Sequence, residues 1–420
     1  MAYRKTVLEN GITVVTDLMQ GVRSVSLGLW FNVGSRDERA DQAGLTHFME
    51  HMMFKGTPTR TAFDISSQFD ALGAELNAFT SREYTCYYAR VVDEKLDAAL
   101  PILADMVINS EFSNETIEPE REVVIEEIAR AEDQPDDVVY DLFFANILPD
   151  HPLGLPVLGT REHVSGYCQD NCLEFHREHY VSGNLTVAAA GNVDHDHLVE
   201  LCKSLFADMP QGPKAVRDLE GFGDRASLAV LTKDIEQAHI LYGMPFIPTN
   251  DPRRFAASVM SNMLGGTMSS RLFQEVREKN GLVYSVFTSQ SLNQGLGTFA
   301  VYAGTRPENI KRVIDITRTE LAKMAQDGTD SEELSKTVEG ICGQLLLGLE
   351  SSNSRMIRAG RGTTMGNELL SPEEIVERYR SVTCEDVKDI AQQILTQEPT
   401  IAVVSPYDRE TVAELAGIGK

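Results

Sequence analysis

The order of elements in this chain is written twice, and that repetition limits the folds open to it more than any single motif does. Residues 75–91 read as two strands, followed by amphipathic helices over about 93–108 and 117–131. Residues 284–289 and 297–304 read as two further strands, followed by helices over 307–326 and 331–347. Strand-like runs alternating with long helical patterns belong to layered α/β or α+β units, and a duplicated domain explains the shared order. Between the copies, residues 209–225 mix Gly, Pro and polar residues that interrupt both periodicities. We therefore expect domains at 1–208 and 226–420 joined by a linker at 209–225. A crevice between two such copies is a favoured place for a site.

Composition narrows the partners. Asp and Glu outnumber Lys and Arg by 63 to 38, a formal net charge of −25, which argues against nucleic acid or an anionic membrane and favours basic substrates. No uncharged apolar run approaches the ~18 residues of a spanning helix. The first residues alternate like a strand, turn at Asn10-Gly11 and resume as a strand, without the apolar stretch of a signal peptide. We expect a cytoplasmic protein whose six cysteines, none in a Cys-x-x-Cys pair, are reduced and mostly buried thiols.

The chemistry concentrates in residues 42–53, which read as a helix ended by Lys55-Gly56-Thr57-Pro58. His47-Phe-Met-Glu50-His51 places two imidazoles four residues apart, with a carboxylate on the same face. A catalytic zinc needs such a pair, together with a carboxylate beside its water. His-x-x-Glu-His is the inverse of the commoner His-Glu-x-x-His peptidase motif. A third ligand is wanted, and the helix expected over 117–130 offers several carboxylates. Glu120 and Glu127 are seven apart and share a face, whereas Glu126 points about 100° away from Glu127. Spacing alone leaves several of these glutamates open as ligand.

These residues resemble the inverted-zincin peptidases, the family of pitrilysin, insulysin and the mitochondrial processing peptidase. The likeness spans nearly the whole chain. It includes His47-Phe-Met-Glu-His51, Glu127 within Arg121-Glu-Val-Val-Ile-Glu-Glu-Ile, Leu76-Asn-Ala-Phe-Thr-Ser-Arg-Glu, His151-Pro-Leu-Gly-Leu-Pro-Val-Leu-Gly-Thr and Gly265-Gly-Thr-Met-Ser-Ser-Arg-Leu-Phe. It is strongest to short members resembling the processing-peptidase β subunit. The resemblance implies an α+β fold of two duplicated sandwiches forming a clamshell, each a mixed, mostly antiparallel sheet with helices packed on it. It implies one Zn2+ per chain on His47, His51 and Glu127, with Glu50 as general base and Glu120 supporting the site. Arg277 and Tyr284 match the family's pair of substrate donors, groups suited to a peptide carbonyl or a developing oxyanion. Asn77, Ala78 and Phe79 match its edge strand, to which an extended substrate adds by backbone hydrogen bonds. Asp137 and Asp141 resemble the stretch that binds a substrate arginine, and Phe54 its apolar pocket. Asp137 departs from the family by being one methylene shorter than the usual Glu.

The second half carries no His-x-x-Glu-His and reads Val338-Glu-Gly-Ile-Cys where the repeat would place Glu127. One metal per chain is therefore expected. The resulting expectation is a zinc endopeptidase for peptides or short unfolded segments, acting as a homodimer or as a heterodimer with a related subunit. The rival is a non-catalytic or partner-dependent subunit of a heterodimeric complex. Retention of all four motif residues favours the enzyme.

Overall fold

The turn at Asn10-Gly11 forms as its residues dictate: Gly11 adopts φ +94°, a conformation without steric cost only for glycine. The chain doubles back there, and Arg4–Val7 (β1) pairs antiparallel with Thr13–Leu18 (β2). The computed structural model describes residues 3–217 and 221–418. Five further strands complete the first half: Ser24–Phe31 (β3), the short pair Gly56–Thr57 (β4) and Arg60–Thr61 (β5), Glu75–Thr80 (β6) and Thr85–Val92 (β7). Leu185–Gly191 (β8) follows after a run of helices. The second half contributes Leu228–Thr232 (β9), Ala238–Phe246 (β10), Val283–Leu292 (β11), Gly297–Thr305 (β12) and Thr400–Ser405 (β13).

Apart from the two-stranded pair β4-β5, the described strands form two sheets, in the orders β1-β2-β8-β3-β7-β6 and β11-β12-β10-β13-β9. Stripped of β1, the first sheet has the arrangement of the second. Each ends in a hairpin edge, runs antiparallel through a central strand, and closes with one parallel pair, β2 with β8 and β9 with β13. The duplication legible in the element order is therefore a duplication of topology. Apolar faces explain the pairing of layers: Val25, Leu27, Leu29 and Phe31 of β3 alternate into one core, and Ile240, Tyr242, Met244 and Phe246 of β10 do so in the other.

The chain forms two compact units, and their membership differs from a single cut at 209–225. The first comprises Met1–Ala129, Leu155–Arg217 and Leu346–Pro372; the second comprises Arg130–Gly154, Asp218–Leu345 and Glu373–Lys420. The passage at Arg217 falls inside the expected linker. The difference lies in two helices. Pro135–Ile147 belongs to the second unit, where Val139, Phe143 and Ile147 pack on Leu241, Ala300 and Ala402. Ser352–Thr364 belongs to the first unit, where Met356 and Ala359 pack on Trp30, Ala188 and Ala190. A helix's periodicity shows that it has an apolar face, not which sheet that face covers.

In each unit a glycine in the central strand makes room for such a helix. A Cβ on Gly243 would lie 2.5 Å from Phe143, and one on Gly28 would lie 2.6 Å from the Met356 sulfur. All six cysteines are free; Cys168 is exposed and Cys384 half-buried, and the other four are buried. Among the described residues, no helix is long and apolar enough to cross a membrane.

Candidate metal centre

The helix that carries the motif spans Leu45–Met52, three residues shorter at its start than its periodicity implied. The reason is Gly44, whose φ of +87° cannot belong to a helix and which stands at the N-cap. Leu45, Phe48, Met49 and Met52 are buried in the first core, which leaves His47, Glu50 and His51 together on the opposite stripe. The second contributing helix runs Asn114–Glu132, with Pro119 inside it rather than in its first turn. Ile117, Glu120, Val124 and Ile128 form its buried stripe, and Glu127 lies beside them.

Glu127 Oε2 lies 3.6 Å from His47 Nε2 and 3.4 Å from His51 Nε2. One ligand atom from each residue lies within 4.8 Å of the others, the one such group among the described residues. Zinc bonds of about 2.0–2.2 Å in a tetrahedral arrangement separate ligand atoms by about 3.3–3.5 Å. Two imidazole nitrogens and a carboxylate oxygen at these spacings fit that ion. Glu126 is exposed and is not part of the group, so the helix phase separates ligand from non-ligand where spacing could not.

The two histidines are held differently. His51 Nδ1 is 2.7 Å from Glu120 Oε1, and the other Glu120 oxygen is paired with the Lys55 ammonium. Such an outer carboxylate fixes a ligand ring in place. His47 Nδ1 is buried and has no hydrogen-bond partner. Protonation follows the same asymmetry. Burial, and then the charge of His51, lowers the His47 pKa to about 3. Burial acts on His51 in the same sense, but the Glu120 bond and the charges of Glu127, Glu120 and Glu50 outweigh it and raise its pKa. Glu120 is lowered: burial opposes this, yet hydrogen bonds from His51 and Lys55 prevail.

Glu50 Oε2 accepts a 2.5 Å hydrogen bond from the Thr80 hydroxyl. Burial raises the Glu50 pKa above the ordinary carboxylate value, with the Thr80 bond opposing it. A carboxylate shifted in that direction is suited to proton transfer near neutrality. Lys55 and Thr80 were not singled out from sequence. Thr80 closes β6, the edge strand carrying Asn77, Ala78 and Phe79, so the strand that would receive a substrate also orients the carboxylate. Asn77 Oδ1 accepts the Ala78 N–H at 2.8 Å, and Phe79 meets Trp30 edge-on at 5.5 Å. Phe54 packs at the margin of the first core, 6.4 Å from the Tyr87 ring.

The remaining candidates stand in the second unit. Asp137 and Asp141 are exposed on Pro135–Ile147, Asp137 in its first turn with its pKa raised by partial burial and by Asp136. Arg277 lies on a π-helical stretch, Phe273–Glu278, instead of a regular helix. Tyr284 is the extra residue of a bulge, because Val283 pairs with Thr305 and Ser285 with Gly304. Its carbonyl accepts from Arg277 Nη1 at 2.7 Å, and the guanidinium stacks 5.0 Å from its ring. Tyr284 is 76% exposed on an edge strand.

Comparison with known proteins shows the family of the chain. The family model for "Insulinase (Peptidase family M16)" matches residues 13–161, and that for "Peptidase M16 inactive domain" matches residues 169–341. An uncharacterized zinc protease of Streptomyces coelicolor is 42% identical over 98% of this chain and 91% of its own length. Another of Bacillus subtilis is 37% identical over 95% and 97%. Among solved structures, a peptidase M16 inactive domain from Pseudomonas fluorescens superposes with a TM-score of 0.91 at 20% identity, covering 97% of this chain and 99% of that one. A protease from Helicobacter pylori gives 0.88 at 22%, covering 96% and 99%. At those identities the two structures speak for the fold.

Proposed function

Since the chain belongs to the insulinase (M16) family of metallopeptidases, we propose that it is a zinc-dependent endopeptidase cutting peptides or short unfolded segments. The observation that carries this reading is the convergence of His47, His51 and Glu127 beside a half-buried Glu50. His47, His51 and Glu127 would hold the ion, which supplies Lewis acidity to a water and to the scissile carbonyl. Glu50 takes a proton from the attacking water and later delivers one to the departing amine. Its raised pKa serves both transfers, and the Thr80 bond holds one carboxylate oxygen so that the other is free to work. Glu120 and Lys55 keep the His51 ring in place. No covalent acyl-enzyme forms, because no side chain acts as nucleophile.

On the substrate side, β6 would receive an extended peptide through backbone hydrogen bonds. Arg277 and Tyr284 would donate to the substrate carbonyl or oxyanion. The cation stacked on Tyr284 stiffens a side chain that is otherwise exposed. Asp137 and Asp141 would favour a basic side chain, in keeping with the net charge of −25, with Phe54 offering an apolar contact. A homodimer or a heterodimer with a related subunit is proposed as the working form.

The test is cleavage of a quenched peptide carrying one arginine near its centre, by wild type and Glu50→Gln at equal metal content. Wild type should turn over and Glu50→Gln should retain metal while losing activity; His47→Ala should lose both. Absence of cleavage by zinc-loaded wild type would overturn the enzymatic reading in favour of a partner-dependent subunit.

A further inference from the structure

The His47-x-x-Glu50-His51 helix begins with its first donors satisfied from elsewhere in the chain. Gly44, at its N-cap, has no side chain to offer, and Glu38 supplies the missing acceptors from six residues upstream. One Glu38 oxygen accepts the Gly44 N–H at 2.8 Å and the other accepts the Thr46 N–H at 2.7 Å. Glu38 is 5% exposed, and burial, opposed by these two backbone bonds, raises its pKa to about 8. Free N–H groups at a helix start attract a carboxylate both by hydrogen bonding and through the helix dipole.

The same point is braced from a second, distant segment. A Cβ on Gly44 would lie 2.5 Å from the Leu158 carbonyl oxygen, and one on Gly159 would lie 2.2 Å from the Ala43 carbonyl oxygen. Two glycines therefore face each other where neither tolerates a side chain. The Tyr167 hydroxyl donates to the Ala43 carbonyl at 2.8 Å. Leu158 and Gly159, within a stretch singled out by motif and given no task by the proposed chemistry, thus press on the start of the metal-binding helix.

This matters most for His47. His51 is fixed through Glu120, but His47 Nδ1 has no partner, so no side-chain bond orients its ring. Its place is set by the backbone one residue after Thr46. A helix turns 100° and rises 1.5 Å per residue, so even part of one residue's rotation would pull His47 Nε2 from its 3.6 Å approach to Glu127. We infer that Glu38 is a positioning residue whose carboxylate, braced by Gly159 and Tyr167, sets the register in which His47 meets the metal. The inference rests on the zinc reading above.

The experiment measures zinc affinity by competition with a chromophoric chelator, and the visible spectrum of the Co2+-substituted protein, for wild type, Glu38→Gln and Glu38→Asp. Glutamine keeps the volume but turns an amide N–H towards one of the two donors. Aspartate keeps the charge but is too short to reach both. Thr383→Ala serves as the control, because Thr383 caps Cys384–Leu395 in the second unit through the same kind of bond. We expect both Glu38 variants to bind zinc about 10- to 100-fold more weakly, the range seen for lost outer-shell support, with an altered Co2+ spectrum. Thr383→Ala should lower the melting temperature and leave affinity and spectrum unchanged. If the Glu38 variants melt lower but bind zinc within twofold of wild type, the cap is merely structural and the inference falls. If Glu38→Gln does not fold, Glu38→Asp is read by the same criterion. Wild type that binds no zinc overturns the metal reading, and this inference with it.

Discussion

Acid should weaken metal binding by one proton's worth and not by two, although two histidines are involved. A metal takes only the neutral imidazole, so each histidine protonated in the free protein must lose a proton on binding. His47 titrates at about 3, because burial and the neighbouring His51 oppose its charge, so it is already neutral at every pH of interest. His51 lies above its ordinary value, since the Glu120 bond and the surrounding carboxylates outweigh burial. Between about pH 5 and the His51 value, one proton is displaced per ion bound, and affinity falls tenfold for each unit of pH, about 1.4 kcal/mol. Two ordinary histidines near 6.5 would give a fall approaching a hundredfold over the same unit. The sign is fixed: lower pH weakens binding, and a proton on His47 would steepen the slope. Chelator competition from pH 5 to 8, with the chelator's own protonation accounted for, gives the slope directly. Glu120→Gln should move the onset of the fall to lower pH, because it removes the bond that raises His51. A limiting slope of two, or affinity indifferent to pH, would refute the assignment of one proton-carrying and one proton-free histidine.

Two further outcomes follow from the same geometry. Thr80→Val removes the donor that opposes the burial of Glu50, so the acid limb of kcat/KM against pH should move upward; a limb that stays in place assigns it to another group. Gly243→Ala would press on the Phe143 ring and the Phe299 carbonyl, and Gly28→Ala on the Met356 sulfur and the buried Trp30 ring. Each should cost about 1–3 kcal/mol in denaturant unfolding, and a variant as stable as wild type would contradict the account of how that helix is seated.

The parts of the centre that lie on one helix were legible in the sequence, because a helix fixes which residues share a face. His47, Glu50 and His51 needed nothing else, and the phase between Glu120 and Glu127 was also local information. Choosing Glu127 over the other carboxylates needed either a family resemblance or coordinates, since it depends on how two helices 60 residues apart pack. Lys55 and Thr80 were missed for a related reason. A lysine just past the helix and a threonine at the end of a strand have unremarkable neighbours in sequence, and each acquires its role from a carboxylate brought to it by packing. The two helices 135–147 and 352–364 show the same limit at the level of the fold. Their apolar stripes were readable, but complementarity to Gly243 and Gly28 across the sheet was not.

The motif also presents its two histidines as equivalent, and the packing makes them unlike. His51 is tied through Glu120 to Lys55, which fixes its ring and at the same time raises its affinity for a proton. His47 has no such tie to offset burial and the charge of His51, so it stays neutral, and its position depends on the backbone that Glu38, Gly159 and Tyr167 hold. A single difference, the presence or absence of an outer carboxylate, therefore governs both proton competition and geometric support. It follows that the two halves of the centre should fail in different ways. Damage on the Glu120 side should change the proton competition at His51, whereas damage on the Glu38 side should weaken binding most where Glu38 is ionised, above the value of about 8 to which burial raises its pKa. Profiles for Glu38→Gln and wild type that converge as pH falls below about 8 would show that the ionised Glu38, accepting from both backbone donors, is what supports His47; profiles offset by a constant would refute it.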